Sequence, residues 1–358
     1  MKKIVTVIGA RPQFIKAAAV SRVIRKTGVI QEIIIHTGQH FDDNMSSVFF
    51  QDMDIPEPDY HLEINSLSHG AMTGRMIEKI EEVLLKEKPD IVIVYGDTNS
   101  TLAGALAAKK IHIRVAHVEA GLRSFNMEMP EEINRILTDR ISDVLFCPTE
   151  NSVKNLHREG FNGFNCQIHR IGDVMYDAAL YYGALSSQRS NILKKLNLNK
   201  DQFVLCTIHR QENTDNLKNL ISIISVLNDV NRENPVVLPL HPRTRKILEL
   251  NNIHLVFKPI EPVGYFDIIE LLKHCSLVIT DSGGMQKEAY FFNKYCLTLR
   301  DETEWTELVT NSYNLLVGCK PDLIQDGVKK YIGRTITNPS PLYGKGNASE
   351  MIVEVLLK

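Results

Sequence analysis

The run Asp281-Ser282-Gly283-Gly284 follows the apolar stretch Leu277–Thr280 and predicts a strand, a tight glycine turn and the start of a helix. The first N–H groups of a helix have no partner within it, and the helix dipole places positive charge at the same end. Phosphate is therefore an expected ligand here, and Glu288 lies one turn further on, where it could accept hydrogen bonds from ribose hydroxyls. The motif indicates a nucleotide or nucleotide-sugar site, although plain turn chemistry explains Ser-Gly-Gly equally well.

Ionisable residues follow several other apolar runs. Ligands of an open parallel sheet bind beyond the carboxyl ends of its strands, so these residues are expected to share one rim. In the first half of the chain they are Arg11 and Lys16 after residues 4–8, Asp97 after Ile91–Tyr95, Glu119 after 115–118, and Glu131 at the start of the next helix. In the second half they are His209 after residues 203–208 and His241 after 236–240.

Each of these residues also has an ordinary structural explanation. Asp97 could cap the next helix, and Glu131 follows a proline in a first helical turn, where acidic residues complement the dipole. His209 could cap its own strand. The joint pattern of three carboxylates, two histidines and several arginines nevertheless favours a site. Neighbouring carboxylates repel, so some of their pKa values rise and acid and base forms coexist near neutrality. This indicates acid–base chemistry on a nucleotide sugar.

The chain lacks the motifs of several common cofactor and metal sites. Residues 9–13 read GARPQ, without the G-x-G-x-x-G spacing that lets a pyrophosphate approach a helix. No Walker A motif, H-E-x-x-H or G-x-S-x-G occurs. The six cysteines include no C-x-x-C pair, which argues against a zinc cage and a disulfide framework. We expect no metal, no cofactor and a reducing, cytoplasmic location.

Charge and hydropathy narrow the class of partners. The net charge of −2 and the absence of a basic run disfavour nucleic acid, whose phosphates require a positive surface. The apolar runs are of strand length and too short to span a bilayer, so no membrane segment is expected.

The predicted architecture has two domains, because 358 residues exceed what one core normally supports. Short β-branched runs alternate with amphipathic helical stretches, as in parallel α/β proteins. The second series of strands is expected at 203–208, 236–240, 255–258, 277–280 and 297–299. We predict an α/β fold of two Rossmann-like domains, residues 1–172 and 200–345, with a cleft between them. The small and polar residues 184–199 form the junction, and a final helix at 347–358 packs back on the first domain.

Seven segments act together as a more specific signal. They are GARP at 9–12, HTGQH at 36–40, GDTNST at 96–101, HVEAGLR at 117–123, PEEINR at 130–135, HR at 209–210 and DSGG at 281–284. Over nearly its whole length the chain resembles the non-hydrolysing UDP-N-acetylglucosamine 2-epimerase family. The resemblance implies a glycosyltransferase-B-like arrangement, a homodimer and a cytoplasmic enzyme of polysaccharide biosynthesis that needs no redox cofactor.

The same resemblance implies roles for individual residues. Asp97, Glu119 and Glu131 would be catalytic carboxylates, and His209 a further catalytic or phosphate-side group. The UDP-N-acetylhexosamine substrate would be held by Arg11, Lys16, His241, Ser282, Gly283, Gly284 and Glu288. The family reaction inverts C2 of the sugar: a base removes the C2 proton while UDP leaves C1, and UDP adds back to the glycal after protonation of the opposite face.

One segment bears on the choice of sugar. Residues 300–307 read RDETEWTE, where many members of the family have R-D-T-T-E-R-P-E, so that Trp305 stands in place of a cation. This and other segments resemble a subgroup that includes epimerases of UDP-2,3-diacetamido-2,3-dideoxyglucuronic acid. That sugar is the alternative to UDP-N-acetylglucosamine. A hydrolysing epimerase, a glycosyltransferase of the same fold and a non-catalytic sensor of nucleotide sugars are less favoured.

Overall fold

The computed structural model describes residues 1–39 and 56–358, except for the side chain of Arg11. His40, in the HTGQH segment, lies outside the described residues. The chain divides into two compact units: unit 1 comprises Met1–Ala178 and Pro341–Lys358, and unit 2 comprises Ala179–Ser340. The described residues contain no helix with the length and apolar character that crossing a bilayer requires.

Unit 1 is built on one parallel sheet. Its strands are β1 (Lys2–Ile8), β2 (Ile30–His36), β3 (Tyr60–His61), β4 (Ile91–Tyr95), β5 (Arg114–Val118), β6 (Val144–Cys147) and β7 (Gln167–Arg170). They pair in the order β3-β2-β1-β4-β5-β6-β7. The helices between them are α1 (Arg11–Thr27), α2 (His69–Glu87), α3 (Asn99–Lys110), α4 (Pro130–Ile141) and α5 (Glu150–Arg158), with a short 3₁₀ turn at Phe161–Gly163. A further helix, α6 (Val174–Arg189), begins in unit 1 and ends in unit 2.

The central strands of unit 1 are apolar on both faces because they are buried on both faces, as parallel strands usually are. Every residue of β4 is buried. Helix α3 lies close against the sheet, since a Cβ on Gly104 would be 3.1 Å from side-chain atoms of both Val7 and Val94. The small residues of α3 therefore set how near its N-terminus lies to the ends of β1 and β4.

Unit 2 contains a second parallel sheet, in the order β12-β11-β10-β8-β9. The strands are β8 (Val204–Thr207), β9 (Val236–Val237), β10 (Leu277–Thr280), β11 (Cys296–Thr298) and β12 (Asn314–Leu316). The helices are α7 (Ile192–Lys195), α8 (Gln211–Thr214), α9 (Leu217–Glu233), α10 (Pro242–Leu250), α11 (Tyr265–His274), α12 (Gly283–Phe291), α13 (Thr306–Thr310) and α14 (Pro321–Tyr331). After unit 2 the chain returns to unit 1, where α15 (Ala348–Leu357) packs against α1.

The predicted α/β class with two parallel sheets is confirmed, but two predicted strands are not as expected. The strand at 236–240 stops after Val237, because Pro239 has no N–H to donate and makes only an isolated bridge with Ile260. The strand at 255–258 is wrong: Val256 is exposed, and its N–H donates to the Asn228 side chain on α9 instead of to a neighbouring strand.

The predicted domain ranges, 1–172 and 200–345, stay predictions. The two compact units divide after Ala178, and α6 continues to Arg189 through part of the stretch that was expected to form the junction. The residues of 184–189 are therefore helical, although their composition resembles that of a linker.

Candidate active site

Three of the predicted site residues of unit 1, Asp97, Glu119 and Lys16, lie where β4, β5 and α1 meet. Strands β4 and β5 pair in register up to Tyr95 and Val118, so Asp97 and Glu119 both follow at the carboxyl edge of the sheet. Lys16, in the second turn of α1, forms an ion pair with Glu119, and each side chain is only 8% exposed. A Cβ at Gly96 would lie 3.2 Å from Glu119 Oε2 and 3.3 Å from Lys16 Nζ. Gly96 therefore allows the chain to pass close to this ion pair.

Asp97 has its own cation. Its Oδ2 accepts a hydrogen bond from Arg135 Nη2 at 2.5 Å, and the Asp97 side chain is 31% exposed. Burial raises the pKa of Asp97 above its ordinary value, and the charge of Glu119 acts in the same direction, while Arg135 and Lys16 oppose both. A carboxyl group with a raised pKa that is still partly accessible is a candidate for taking up and giving back a proton.

The turn after β5 has a strained backbone. Glu119 has a φ of +76°, which a residue other than glycine seldom adopts. The N–H groups of Glu119 and Ala120 both donate to the carbonyl of Phe146, at 3.1 and 3.0 Å. Gly121 follows with a φ of +78°, and a Cβ there would lie 2.4 Å from the carbonyl oxygen of Ser152. Such strain is often found at functional sites, and here it directs the Glu119 carboxylate toward Lys16.

A fully buried layer of charged groups supports this turn. His117 lies 2.7 Å from Asp139 through Nδ1, and its Nε2 donates to the carbonyl of Gly96 at 2.7 Å. The other oxygen of Asp139 accepts from Arg123 and from the N–H of Gly121. Burial alone would raise the pKa of Asp139, but the hydrogen bonds and charges of His117 and Arg123 lower it below its ordinary value. The sequence analysis named the segment that carries His117 and Arg123, but it did not single out Asp139, which lies further along the chain and joins the two.

The acidic pair at the start of α4 divides into an exposed and a buried residue. Glu131 is exposed, and no hydrogen bond or ion pair joins it to another described residue. Glu132 is completely buried and accepts hydrogen bonds from Ser124, Phe125 and Arg135, at 2.9 to 3.0 Å. The catalytic role expected for Glu131 stays a prediction. The organising role of Glu132 is a feature that the sequence analysis missed.

In unit 2, Asp281 turns away from the helix start that it precedes. Its fully buried carboxylate accepts the backbone N–H groups of His209 and Arg210, at 3.0 to 3.2 Å, and the side-chain amide of Asn213 at 3.2 Å. His209 Nδ1 lies 3.2 Å from Asp281 Oδ1, and about half of the His209 side chain is exposed. Asp281 therefore fixes the backbone from which His209 projects.

The glycines of the DSGG run are the first two residues of α12, and Ser282 is the N-cap. The separate glycine turn that was predicted before this helix is therefore absent. Ser282 Oγ accepts the N–H of Met285 at 3.4 Å. A Cβ on Gly283 would lie 2.4 Å from Glu304 Oε1, whereas a Cβ on Gly284 would have no described atom within 4 Å apart from its chain neighbours and the nearby backbone of its own helix. The carboxylate of Glu304, which Arg300 binds at 3.0 Å, thus faces the start of the helix beside open space at Gly284. The Glu304 carboxylate therefore already complements the positive end of the helix dipole, and an anionic ligand would have to displace it or bind beside it at Gly284.

The remaining predicted residues of unit 2 are spread over three elements. Glu288 is buried in α12, with 8% of its surface exposed. His241 is the exposed N-cap of α10, and its Nδ1 accepts the N–H of Arg243 at 3.2 Å. Trp305 is buried, and Lys287 Nζ lies 3.9 Å from the centre of its rings, which is cation–π geometry. The described residues include no cluster of three or more side chains that could ligate a metal.

Comparison with known proteins identifies the family. A sequence model described as UDP-N-acetylglucosamine 2-epimerase matches residues 22–357. The chain belongs to that family. It is 54% identical to the UDP-2,3-diacetamido-2,3-dideoxy-D-glucuronate 2-epimerase of Pseudomonas aeruginosa, over 99% of both chains. It is 43% identical to a UDP-N-acetylglucosamine 2-epimerase of Methanococcus maripaludis, over 99% of this chain and 98% of the relative.

Solved structures agree with this assignment. The Methanocaldococcus jannaschii UDP-GlcNAc 2-epimerase, in complex with UDP-GlcNAc and UDP, is 42% identical and superposes with a TM-score of 0.89, covering 100% of this chain and 99% of that one. The predicted resemblance to the family and to the diacetamidoglucuronate subgroup is confirmed by these matches. The chain is an epimerase, hence an isomerase, that acts on UDP-sugars, with a fold like that of glycosyltransferase-B proteins.

Proposed function

We propose that this epimerase inverts C2 of UDP-N-acetylglucosamine to give UDP-N-acetylmannosamine, by elimination and re-addition of UDP through a glycal. The observation that carries this proposal is the pair of carboxylates at the edge of the unit 1 sheet, each beside a cation: Asp97 with Arg135, and Glu119 with Lys16. Two carboxyl groups in different electrostatic surroundings can serve as an acid and a base in one reaction.

The proposed reaction breaks two bonds of the substrate. One carboxylate removes the C2 proton, the C2–H electron pair forms the C1–C2 double bond, and the C1–O bond breaks so that its electrons remain on the diphosphate. In the return step UDP attacks C1 while a proton is delivered to the opposite face of C2. Because the C2 proton is barely acidic, a well-stabilised diphosphate leaving group has to provide the driving force. Glu131 and His209 are proposed to assist, as a third carboxylate and as a catalytic or phosphate-side group.

The UDP group is proposed to bind at the start of α12. Gly283 and Gly284 are proposed to supply backbone N–H groups, and Gly284 the open space. Ser282 is proposed to contact UDP through its side chain, because its own N–H donates to Thr280 Oγ1 at 2.9 Å. Arg11, Lys16, His241 and Glu288 are the further proposed contacts. Of these, Lys16 already pairs with Glu119 and Glu288 is largely buried, so both would have to exchange their present surroundings for contacts with the substrate.

A second sugar, UDP-2,3-diacetamido-2,3-dideoxyglucuronic acid, is favoured by one observation. A relative named for that substrate shares 54% identity, whereas two relatives from Methanococcus maripaludis share less: 50% for one named as a UDP-N-acetylglucosamine 2-epimerase homolog, and 43% for one named as a UDP-N-acetylglucosamine 2-epimerase. Trp305 stands where many members of the family carry a cation, so it is the residue proposed to distinguish the two sugars. Both sugars undergo the same chemistry at C2.

The test is isotope exchange with each sugar. The purified chain is incubated with either UDP-sugar in deuterated water, and proton NMR follows the C2 signal while phosphorus NMR follows UDP. Deuterium at C2 of either sugar without stoichiometric release of UDP supports the proposal and identifies the substrate. Stoichiometric UDP would instead indicate hydrolysis, and the absence of exchange with both sugars would overturn the proposal.

The setting of the enzyme is part of the same proposal. We propose a homodimer that works in the cytoplasm and supplies an activated sugar for polysaccharide synthesis. The cysteines are free thiols, which suits a reducing compartment. Light scattering coupled to gel filtration measures the mass in solution, and a value near 40.6 kDa would mean a monomer and contradict the dimer.

A further inference from the structure

Arg135 is a buried cation that links two carboxylates in unit 1. Its Nη2 donates to Asp97 at 2.5 Å and its Nη1 donates to Glu132 at 3.0 Å, with only 6% of the Arg135 side chain exposed. The planar guanidinium fixes the directions of both hydrogen bonds, which a lysine could not do. Arg135 belongs to the PEEINR segment, but the sequence analysis gave it no role.

The far side of this link is rigid. Glu132 is fully buried, and its two oxygens also accept the backbone N–H groups of Ser124 and Phe125. Phe125 has a φ of +60°, so the chain before α4 is held in a left-handed conformation that these hydrogen bonds stabilise. Glu132 thereby fixes the position of Nη1, and because the guanidinium is planar, the direction of the Nη2 hydrogen bond to Asp97 is fixed as well.

Two residues of α4, Asn134 and Arg135, both hold Asp97. Asn134, the neighbour of Arg135 in α4, donates to the backbone carbonyl of Asp97 at 3.0 Å and to the side chain of Asn99 at 3.2 Å. Consecutive residues of α4 therefore fix the backbone and the carboxylate of Asp97 separately.

We infer that Arg135 is a positioning residue that sets the orientation of the Asp97 carboxylate, with Glu132 as its anchor. The inference rests on the proposed function for its kinetic consequences, since it assumes that Asp97 exchanges a proton with the substrate. Without Arg135 the Asp97 carboxylate would be free to rotate and would face Glu119 with one fewer positive charge nearby.

The direction of the expected shift follows from the charges that face Asp97. Burial and Glu119 raise the pKa of Asp97, and Arg135 and Lys16 lower it. Glu132 shares the guanidinium of Arg135 with Asp97. Removal of the Arg135 charge should therefore raise the pKa of Asp97 further.

The experiment compares Arg135→Gln, Arg135→Lys and the control Arg140→Gln. Arg140 lies on the same helix but is exposed, with its guanidinium 4.3 Å from the ring centre of Phe164. The carboxyl ¹³C signal that disappears in Asp97→Asn is assigned to Asp97 and titrated in each variant. Steady-state kinetics are measured with whichever UDP-sugar undergoes C2 exchange.

Arg135→Gln is expected to raise the titration midpoint of Asp97 and to lower kcat on the order of 10²-fold, with a much smaller change in KM. Arg135→Lys should restore most of the midpoint but only part of kcat, because it keeps the charge and loses the fork. Arg140→Gln should change neither quantity.

An unchanged Asp97 midpoint in folded Arg135→Gln would overturn the inference, as would full kcat in Arg135→Lys. If Arg135→Gln does not fold, Arg135→Lys tests the inference by itself. A nearly unchanged Asp97 midpoint with a clearly lowered kcat would support it. Failure of the proposed function gives a different result. The unmodified chain would then show no C2 exchange with either sugar, while the titration midpoint of Asp97 would still change in Arg135→Gln.

Discussion

The two candidate regions, one in each unit, are built from different materials. In unit 1 the proposed chemistry depends on side chains, Asp97 and Glu119, that buried cations and carboxylates hold in place. In unit 2 the proposed UDP site depends on backbone, the N–H groups at the start of α12 and open space at Gly284. Proton transfer needs groups with adjusted pKa values, whereas diphosphate binding needs donors and room. Substitutions should therefore separate catalysis from binding.

The largest effect is expected from the unit 1 carboxylates. Asp97→Asn and Glu119→Gln should each lower the rate of C2 exchange by about 10²- to 10⁴-fold, because an amide cannot carry the proton. UDP binding, measured by calorimetry, should change far less, since the proposed diphosphate contacts at α12 remain. Loss of exchange together with an equal loss of UDP affinity would mean that the two regions are not divided in this way.

The next effect concerns the buried layer beneath the site. Asp139→Asn should reduce the free energy of unfolding at pH 7 by about 3–5 kcal/mol, because it leaves the buried charge of Arg123 without one of its partners. The pKa of Asp139 is lowered in the folded protein, so its carboxylate contributes stability above about pH 4, and this contribution is lost as the pH falls through the folded-state pKa.

Urea unfolding of Asp139→Asn and the unmodified chain at several pH values checks this sign. The difference between them should stay full from pH 7 down to about pH 4 and should shrink only at lower pH, as Asp139 becomes protonated in the folded protein. A difference that grows on acidification would contradict the assignment of Asp139 as the ionised centre of the layer.

A smaller effect on binding is expected at the helix start of unit 2. Gly284→Ala places a methyl group in the space proposed for phosphate, and should weaken UDP binding about ten- to a hundredfold through lost charge-assisted hydrogen bonds. The fold should persist, because the new Cβ would have no described atom within 4 Å apart from its chain neighbours and the nearby backbone of its own helix. The matched control is Gly70→Ala, since Gly70 is likewise the second residue of its helix, α2, with open space around it. Equal affinity in both variants would exclude this helix start as the UDP site.

The smallest effect is expected at Trp305. Trp305→Phe keeps an aromatic ring near Lys287 but weakens the cation–π contact, and should reduce the free energy of unfolding by about 1 kcal/mol. Circular dichroism during urea unfolding measures this change without relying on the one tryptophan of the chain. If Trp305 also shapes the sugar pocket, the ratio of exchange rates for the two UDP-sugars should change in the same variant, whereas an unchanged ratio would assign it to packing alone.

Much of the fold could be predicted, because strands buried on both faces leave continuous apolar runs such as Ile91–Tyr95. The positions that failed are informative. The runs at 236–240 and 255–258 are apolar too, but Pro239 removes a donor and Val256 finds its partner on a helix. Apolar character alone therefore does not predict a strand, since Val256 is exposed and strand pairing also needs a neighbouring strand with free donors and acceptors.

The candidate site was predictable where it depends on position along a strand, and less so where it depends on packing. Asp97 and Glu119 could be found because they follow buried strands that pair in register. Glu131 and Glu132 could not be distinguished by sequence, because neighbours on a helix point about 100° apart and only packing decides which is buried. The hydrogen bonds of Asp281 to His209 and Asn213 could not be predicted either, because these partners are 68 to 72 residues away in the chain.

The amino-acid sequence alone determined the α/β class, the family motifs and the strand ends that carry the reactive residues, because these follow from local periodicity and spacing. The tertiary structure alone decided which charges meet: Lys16 with Glu119, Arg135 with both Asp97 and Glu132, and His117 with Asp139. Such pairs join residues that are distant in the chain or differ only in the direction in which a helix presents them. Their strength depends on burial, which a sequence specifies only through the complete fold.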